Sequence, residues 1–367
     1  MALRHLWVRN YRSLVDVTLE PAQLTVVVGE NGSGKTNLYR ALRLLSRGAE
    51  GRLATTLLEE GGMPSILFAG EFPRRRGDPV RTVIGVDIDE ISYELALGLP
   101  AAGPGDPFLL DPQIKEELIW VGAKRTRATT LADRAGTTVL LRDVDGLPVS
   151  YPTALDSAEP LLSQIGDPGR YPEVFGLRAH LGRWRFYHEF PTHPQAPARS
   201  PQVGVRTPVL ANDGHDLAAA VTTIFQIGDG HALRSAVERA FPGSELDTDV
   251  VNGVHSLVVT QPGLLRPTTA VELSDGTLRF LYLAAALLTP RPPGLLVLNE
   301  PETGLNSAVI GPLAELVAIA AEGGQVILTT HSDLLAELLS ATGARRVRVA
   351  RSSAGATALN VEDRGAC

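Results

Sequence analysis

The sequence has almost no cysteine: Cys367, the last of its 367 residues, is the single one. One thiol excludes an intrachain disulfide framework and a cysteine-built zinc site. It fits a reducing compartment. Aromatic residues are scarce, at 5%, so Leu, Val and Ala must fill the core. Long apolar runs are missing too. The stretch from Phe280 to Leu288 is nine residues, whereas a bilayer-spanning helix takes about 20. No apolar leader follows Met1-Ala2-Leu3-Arg4-His5, and a cytoplasmic location with no membrane partner is expected. There is no excess of positive charge. The formal net charge is −7, which argues against a chain that coats nucleic acid over its whole surface but leaves room for a local basic patch.

Turn formers are abundant, with 36 Gly and 26 Pro, and they punctuate the chain. Strands are expected over 3–10, 15–19 and 24–28, the last a valine-rich buried run. Leu38, Ala41, Leu42 and Leu45 recur at helix spacing over 37–45. Strands are expected at 66–68, 82–88, 91–97 and 138–142, while 112–120 reads as helix or strand. The span 146–215 resists assignment. Helices follow at 216–225 and 233–241, with Asp213 or Asp216 as a cap, then strands at 246–251 and 256–261. From 278 onward helix and strand alternate (helices 278–288, 312–321 and 332–339; strands 295–298, 325–329 and 346–350). Such alternation predicts a parallel sheet covered on both faces.

Between the strand at 24–28 and the helix at 37–45 lies Gly29-Glu30-Asn31-Gly32-Ser33-Gly34-Lys35-Thr36. This fits the phosphate-loop pattern G-x-x-x-x-G-K-[ST], in the strand-to-helix context that the pattern requires. Glycines let successive N–H groups face one small cavity, and the following helix adds its positive end. Lys35 then reaches the β and γ phosphates, and the Thr36 hydroxyl ligates Mg²⁺. A second strand, Leu295-Leu296-Val297-Leu298, runs into Asn299-Glu300-Pro301-Glu302. Glu300 at that strand end is the candidate to polarise the water that attacks the γ-phosphate.

Around these lie Leu273-Ser274-Asp275-Gly276-Thr277, then Gly304-Leu305-Asn306, then Val326-Ile327-Leu328-Thr329-Thr330-His331-Ser332. In this order the motifs resemble an ABC-type ATPase head, and more narrowly the RecF/SMC-like ATPases, including a family of small ATPases with one short insertion. Gly29–Thr36 resembles the Walker A loop and Leu295–Glu300 the Walker B strand. Residues 273–277 resemble the Leu-Ser-Gly-Gly-Gln signature loop, Leu305 and Asn306 the D-loop, and His331 the switch histidine. Tyr11-Arg12-Ser13-Leu14 resembles a segment that lies beside the nucleotide in such heads.

The resemblance implies an α/β P-loop NTPase of the ABC-ATPase head type, with a compact α+β insertion lobe. The head is expected in two pieces, 1–84 and 271–367, around an insertion at 85–270. ATP and Mg²⁺ are the implied cofactors. Nucleotide contacts are expected from Arg12, Gly29, Glu30, Asn31, Gly32, Ser33, Gly34, Lys35, Thr36 and Asn37, and in trans from Ser274 and Gly276. Thr36, Asn299, Glu300 and Glu302 would hold the metal; Lys35, Glu300 and His331 would serve catalysis. The implied assembly is a homodimer, induced by ATP, with two nucleotides sandwiched between its heads.

The sequence departs from the family pattern at Asn299, where the Walker B aspartate is expected, and at Asp275 and Thr277 in the signature loop. An amide carries no charge for a metal, so nucleotide binding with slow hydrolysis is expected. The Q-loop glutamine has only Gln113 and Gln164 as candidates, by elimination. No coiled-coil heptads extend over several turns, which favours the short-armed branch.

Related heads act in DNA repair and defence. Two basic clusters could meet DNA: Arg74-Arg75-Arg76, and Lys124-Arg125-Thr126-Arg127 followed by Arg134. Arg178, Arg183 and Arg185 flank Trp184, which could stack on a base or simply pack. Three functions stay open: an ATPase acting on DNA, an ATP-driven switch for a protein effector such as a separately encoded nuclease, and the nucleotide-binding subunit of a transporter. The Glu-Pro-Glu at 300–302 and the Tyr-Arg-Ser-Leu segment argue against the last.

Overall fold

The computed structural model describes residues 1–70, 80–100, 107, 110–122 and 124–362. They form two compact units. The first comprises Met1–Ala22, Gly29–Trp184 and Val347–Glu362; the second comprises Gln23–Val28 and Arg185–Arg346.

The first unit is built on an eight-stranded antiparallel sheet. Its order is Leu14–Leu19, Leu3–Tyr11, Thr82–Ile88, Ile91–Gly98, Gln113–Val121, Thr130–Ala135, Thr138–Arg142 and Pro148–Ser150. Residues 112–120, open to either reading from their spacing, are therefore strand. Ile66 belongs instead to a helical turn, Met63–Ile66, with Pro64 in its first positions. There the missing N–H costs nothing, so no strand forms at 66–68. The helix after the glycine-rich loop, Lys35–Ala49, is longer than its apolar core suggests and buries Leu38, Leu42 and Leu45.

Arg134 does not belong to a basic patch. It lies directly across from Glu117 on the neighbouring strand, and both side chains are fully buried. Arg134 Nη1 donates to Glu117 Oε2 at 3.1 Å. The remaining guanidinium donors reach the carbonyls of Gly136, Glu159 and Asp156. Glu117 also accepts from the Tyr93 hydroxyl at 2.7 Å and from the Leu161 amide. Burial pushes the Glu117 carboxyl up, while Arg134 holds it down. The cluster ties the 156–161 segment to the sheet. Trp184 is buried too, edge-on to His180 at 6.0 Å, so it packs and offers no stacking face.

The second unit contains four parallel strands in the order Arg185–Tyr187, Leu295–Asn299, Gln325–Thr330 and Leu24–Val28. The last three are buried along their whole length, as expected of a parallel sheet with both faces covered. Helices Leu217–Ile227, Gly230–Ala240, Asp275–Leu287 and Ile310–Gly323 share its core. Phe190 stacks on Tyr282 with ring centroids 4.5 Å apart. Asp216 is the N-cap residue of the 217–227 helix, but its carboxylate accepts from the Ala211 amide. Among the described residues no helix is long and apolar enough to cross a membrane.

Removing one partner of a buried, fully bonded ion pair leaves the other charge stranded. Arg134→Ala should therefore lower stability by about 3–5 kcal/mol in urea unfolding. A loss under about 1 kcal/mol, the range of an exposed pair, would contradict this assignment.

Candidate nucleotide-binding site

The register of the parallel strands brings the functional residues to one level. Asn299 pairs with Thr329, and Thr330 pairs with Val28. The carboxyl ends of the three strands are thus side by side. Glu300 follows the first and His331 the second. Gly29, the next residue in the chain after Val28, opens the glycine-rich loop. In parallel α/β sheets ligands bind at the carboxyl ends of the strands.

The loop is tightly constrained. A Cβ on Gly29 would run into the carbonyl oxygen of Val349. Gly34 has φ +112°, and a Cβ there would meet Thr357 Oγ1 and lie 2.8 Å from Ser13 Oγ. Those two hydroxyls lie 2.6 Å apart. Thr357 Oγ1 also bonds the Ser33 carbonyl at 2.9 Å, and Asn37 Nδ2 donates to Ser13 Oγ at 2.9 Å. Ser13 of the early motif therefore acts on the loop itself, with Thr357 as a partner that the motif did not reveal. Asn37, expected to touch nucleotide, is used in this brace.

Lys35 Nζ donates to the carbonyls of Gly29 and Glu30 at 2.7 and 3.0 Å, curling back over the loop. Ser33 Oγ is buried without a hydrogen-bond partner. A cleft of about 440 Å³ is lined by Gly29–Ser33 and by Arg348–Arg351. A second, of about 460 Å³, joins Gly32 and Asn37 to Arg12, Ser13 and Arg351. Arg12 thus stands beside the loop. Its backbone is left-handed at φ +50°, and its guanidinium bonds Glu60 Oε2 at 3.1 Å. Tyr11 donates to the same oxygen at 2.7 Å. The orphaned serine hydroxyl, the curled lysine and the glycines that admit no side chain fit a bound oligophosphate. Arg351 and Thr357 were missed because they lie some 320 residues downstream of the loop.

At the acidic strand end Glu300 has φ +50°, a conformation that costs a non-glycine residue about 1–3 kcal/mol. Its N–H is held by Thr329 O at 2.9 Å. Glu302 is buried, and its Oε1 accepts from Thr330 Oγ1 at 2.5 Å and from the His331 amide at 3.0 Å. Glu302 Oε2 is buried without a hydrogen-bond partner. His331 Nδ1 lies 3.3 Å from Glu302 Oε1 and 3.8 Å from Glu300 Oε2. Asn299 is buried; its Oδ1 accepts from Thr329 Oγ1 at 2.9 Å, and its Nδ2 lies 2.8 Å from His188 Nδ1. The amide nitrogen can only donate, so that ring nitrogen accepts.

His188 follows the fourth parallel strand, whose three residues are too few to show a period in the sequence. Gln113 begins a strand of the antiparallel sheet and Gln164 bonds within the 156–164 segment; neither follows a parallel strand. Among the described residues no group of three His, Cys, Asp or Glu could hold a metal alone. Mg²⁺ takes one or two protein ligands beside substrate phosphates and water, so the Thr36 hydroxyl of the loop is a chemically suitable donor.

Ser274 caps the helix Asp275–Leu287, accepting from the Thr277 amide at 3.1 Å. Gly276 and Gly304 approach so closely that a Cβ on Gly276 would lie 3.4 Å from Gly304 O. The segments expected to serve as signature loop and D-loop are therefore neighbours. Of the basic clusters, Arg74–Arg76 lies outside the described residues. Lys124 is exposed, and Arg125 is shared between Glu116 at 3.7 Å and Asp133 at 3.2 Å. Arg125 and Arg127 line a cleft of about 400 Å³ together with Arg142. The Arg142 donors are spent on the carbonyls of Thr130, Gly146 and Arg127.

A family model described as "AAA domain, putative AbiEii toxin, Type IV TA system" matches residues 24–337. The chain belongs to this family. Among solved structures, the SMC head bound to the C-terminal winged-helix domain of ScpA matches 100% of this chain and 98% of that one. The TM-score is 0.55 and the identity 13%. An SMC head with an extended coiled coil, bound to the C-terminal domain of ScpA from Pyrococcus furiosus, matches 99% and 96%, with TM-score 0.52 and 12% identity. At such identities the likeness is one of fold.

Two curated relatives match shorter stretches. A protein named "Putative ABC transporter ATP-binding protein" from Streptomyces avermitilis is 44% identical over 79 residues, 21% of this chain and 14% of that protein. The DNA replication and repair protein RecF of Marinomonas sp. is 37% identical over 84 residues, 22% and 23% of the two chains. The matched stretches span less than a quarter of either relative. This AAA-family member is an ABC-type P-loop ATPase head of the RecF/SMC kind.

The Gly34→Ala variant tests the cradle. It adds a methyl group where two hydroxyls meet and strains φ. It should lower the melting temperature and weaken a fluorescent ATP analogue by at least roughly tenfold. Wild-type affinity in this variant would show that the loop is not the phosphate site.

Proposed function

We propose that this head binds MgATP at 29–36 and hydrolyses it slowly, with two copies closing on two nucleotides and acting on DNA. The observation that carries the reading is the alignment of the strand ends Val28, Asn299 and Thr330, which the chain continues as Gly29, Glu300 and His331. The loop amides and Lys35 take the phosphates. Glu300, poised by its backbone, accepts a proton from the attacking water. His331, oriented by Glu302, donates to the γ-phosphate. Mg²⁺, when bound through Thr36, neutralises charge on the phosphates. Ser274 and Gly276 serve the nucleotide of the other copy, through the N–H groups of a helix start.

Slow turnover follows from Asn299. Its amide is spent on Thr329 and His188, leaving no charge to help fix the metal shell. The DNA role draws support from the similarity to RecF and from the exposed cations Lys124 and Arg127, the latter at the cleft of about 400 Å³. A protein effector is the second reading, supported by the SMC head matched above, which is bound to a domain of ScpA. The transporter name of the Streptomyces relative concerns a match to 14% of its length.

Asn299→Asp should raise magnesium-dependent ATP turnover by roughly tenfold or more, about 1.4 kcal/mol in the barrier. Turnover unchanged or lowered would remove Asn299 as the cause of slow hydrolysis. Glu300→Gln should accumulate an ATP-bound dimer in sedimentation, and a persistent monomer would refute the two-copy mechanism. DNA affinity should fall steeply between low and physiological salt; a flat response would favour the protein effector.

A further inference from the structure

Asp275 puts a negative charge where the family signature has glycine, on the loop that is to meet a phosphate. The structure supplies the counter-charge from Arg199, in the proline-rich stretch between 191 and 208. The Arg199 side chain is 7% exposed. Its Nη2 donates to Asp275 Oδ1 at 2.6 Å. Nη1 donates to the carbonyls of Ala270, Val271 and Leu273 at 2.9, 3.2 and 2.8 Å. Nε donates to Thr192 O at 2.9 Å. All three guanidinium nitrogens are used.

Carbonyls satisfy donors but do not neutralise a buried cation, which needs an opposite charge. Among the described residues Asp275 is the carboxylate that supplies it. The planar fork of arginine suits this task; a lysine offers one point charge and cannot span the same acceptors. Three carbonyls of one turn, at 270, 271 and 273, are thereby held in the approach to the Ser274 cap. Beside them a cleft of about 620 Å³ is lined by Glu189, Thr192, His193, Asp275, Arg279 and Gly304.

We infer that Arg199 is the positioning residue of the signature loop, and that its pair with Asp275 lets an acid-bearing loop approach the phosphates of a second copy. The inference rests on the two-copy reading. Arg199 does two things at once. It shapes the loop through three carbonyls, and it cancels the charge that would repel a triphosphate. Asp275 in turn neutralises Arg199, so the substitution in the signature and the buried arginine belong together.

The test uses the full chain carrying Glu300→Gln, with MgATP self-association read by sedimentation and monomer affinity read with a fluorescent ATP analogue. Arg199→Ala should weaken association by on the order of tenfold or more, because it leaves Asp275 facing the anion unpaired. The analogue should bind the monomer within about twofold of the parent, since the cradle is untouched. Adding Asp275→Asn to Arg199→Ala should recover much of the loss. Asp275→Asn alone keeps an oxygen that can accept from Arg199 and removes the acid facing the anion; with its fold checked by a melting scan, it should associate at least as tightly as the parent.

Unchanged association in Arg199→Ala, a double variant no better than the single, or tenfold weaker association in Asp275→Asn would overturn the inference. A parent that never associates with MgATP would instead refute the two-copy reading. The loop is then judged by amide hydrogen exchange at Gly276 and Thr277 without nucleotide. Faster exchange in Arg199→Ala than in wild type supports the positioning role, and equal exchange overturns it.

Discussion

The parallel hydrogen-bonded register of strands 24–28, 295–299 and 325–330 is the constraint on which the site depends. A parallel ladder fixes which residues are level. Here it makes Val28, Thr330 and Asn299 terminal together. Each strand then delivers its chemistry one step further on, as Gly29, His331 and Glu300. A slip of one residue would put that strand's end out of level with its neighbours and turn each of its side chains to the other face of the sheet. All three strands are buried on both faces, so every side chain would have to repack against new neighbours.

Within that frame the site is shaped by what burial allows. A carboxylate at 299 would be enclosed and costly without a cation, whereas Asn299 is satisfied by Thr329 and His188 in the absence of metal. The buried acid of this strand end is Glu302, whose Oε1 serves Thr330 and His331 while Oε2 has no hydrogen-bond partner. Glu300 is more open and conformationally strained. The same economy recurs at the signature loop, where the charge of Asp275 is matched by Arg199.

Much of this was legible in the sequence because it was local. The glycine-rich loop, the valine-rich strand before it and the apolar runs ending in Glu300 and His331 carry their signals within a few residues. What escaped depends on distant contacts. Thr357 braces Ser13 and Ser33 across more than 300 residues. His188 follows a strand of three residues, and Arg199 lies in a proline-rich stretch with no period. Arg134 looked like part of a basic run, yet strand pairing turns it onto Glu117. Ion pairing across strands is set by register, which charge counting along the chain does not see.

The most direct test of the account is calorimetric titration of MgATP and of AMP into the wild-type chain and into Lys35→Ala. If the loop holds the β and γ phosphates, the lysine change should weaken MgATP by at least roughly tenfold, the loss of a charge-assisted contact. AMP should bind weakly and equally to both. Equal MgATP affinity in the two proteins would contradict the assignment of the triphosphate to Gly29–Thr36.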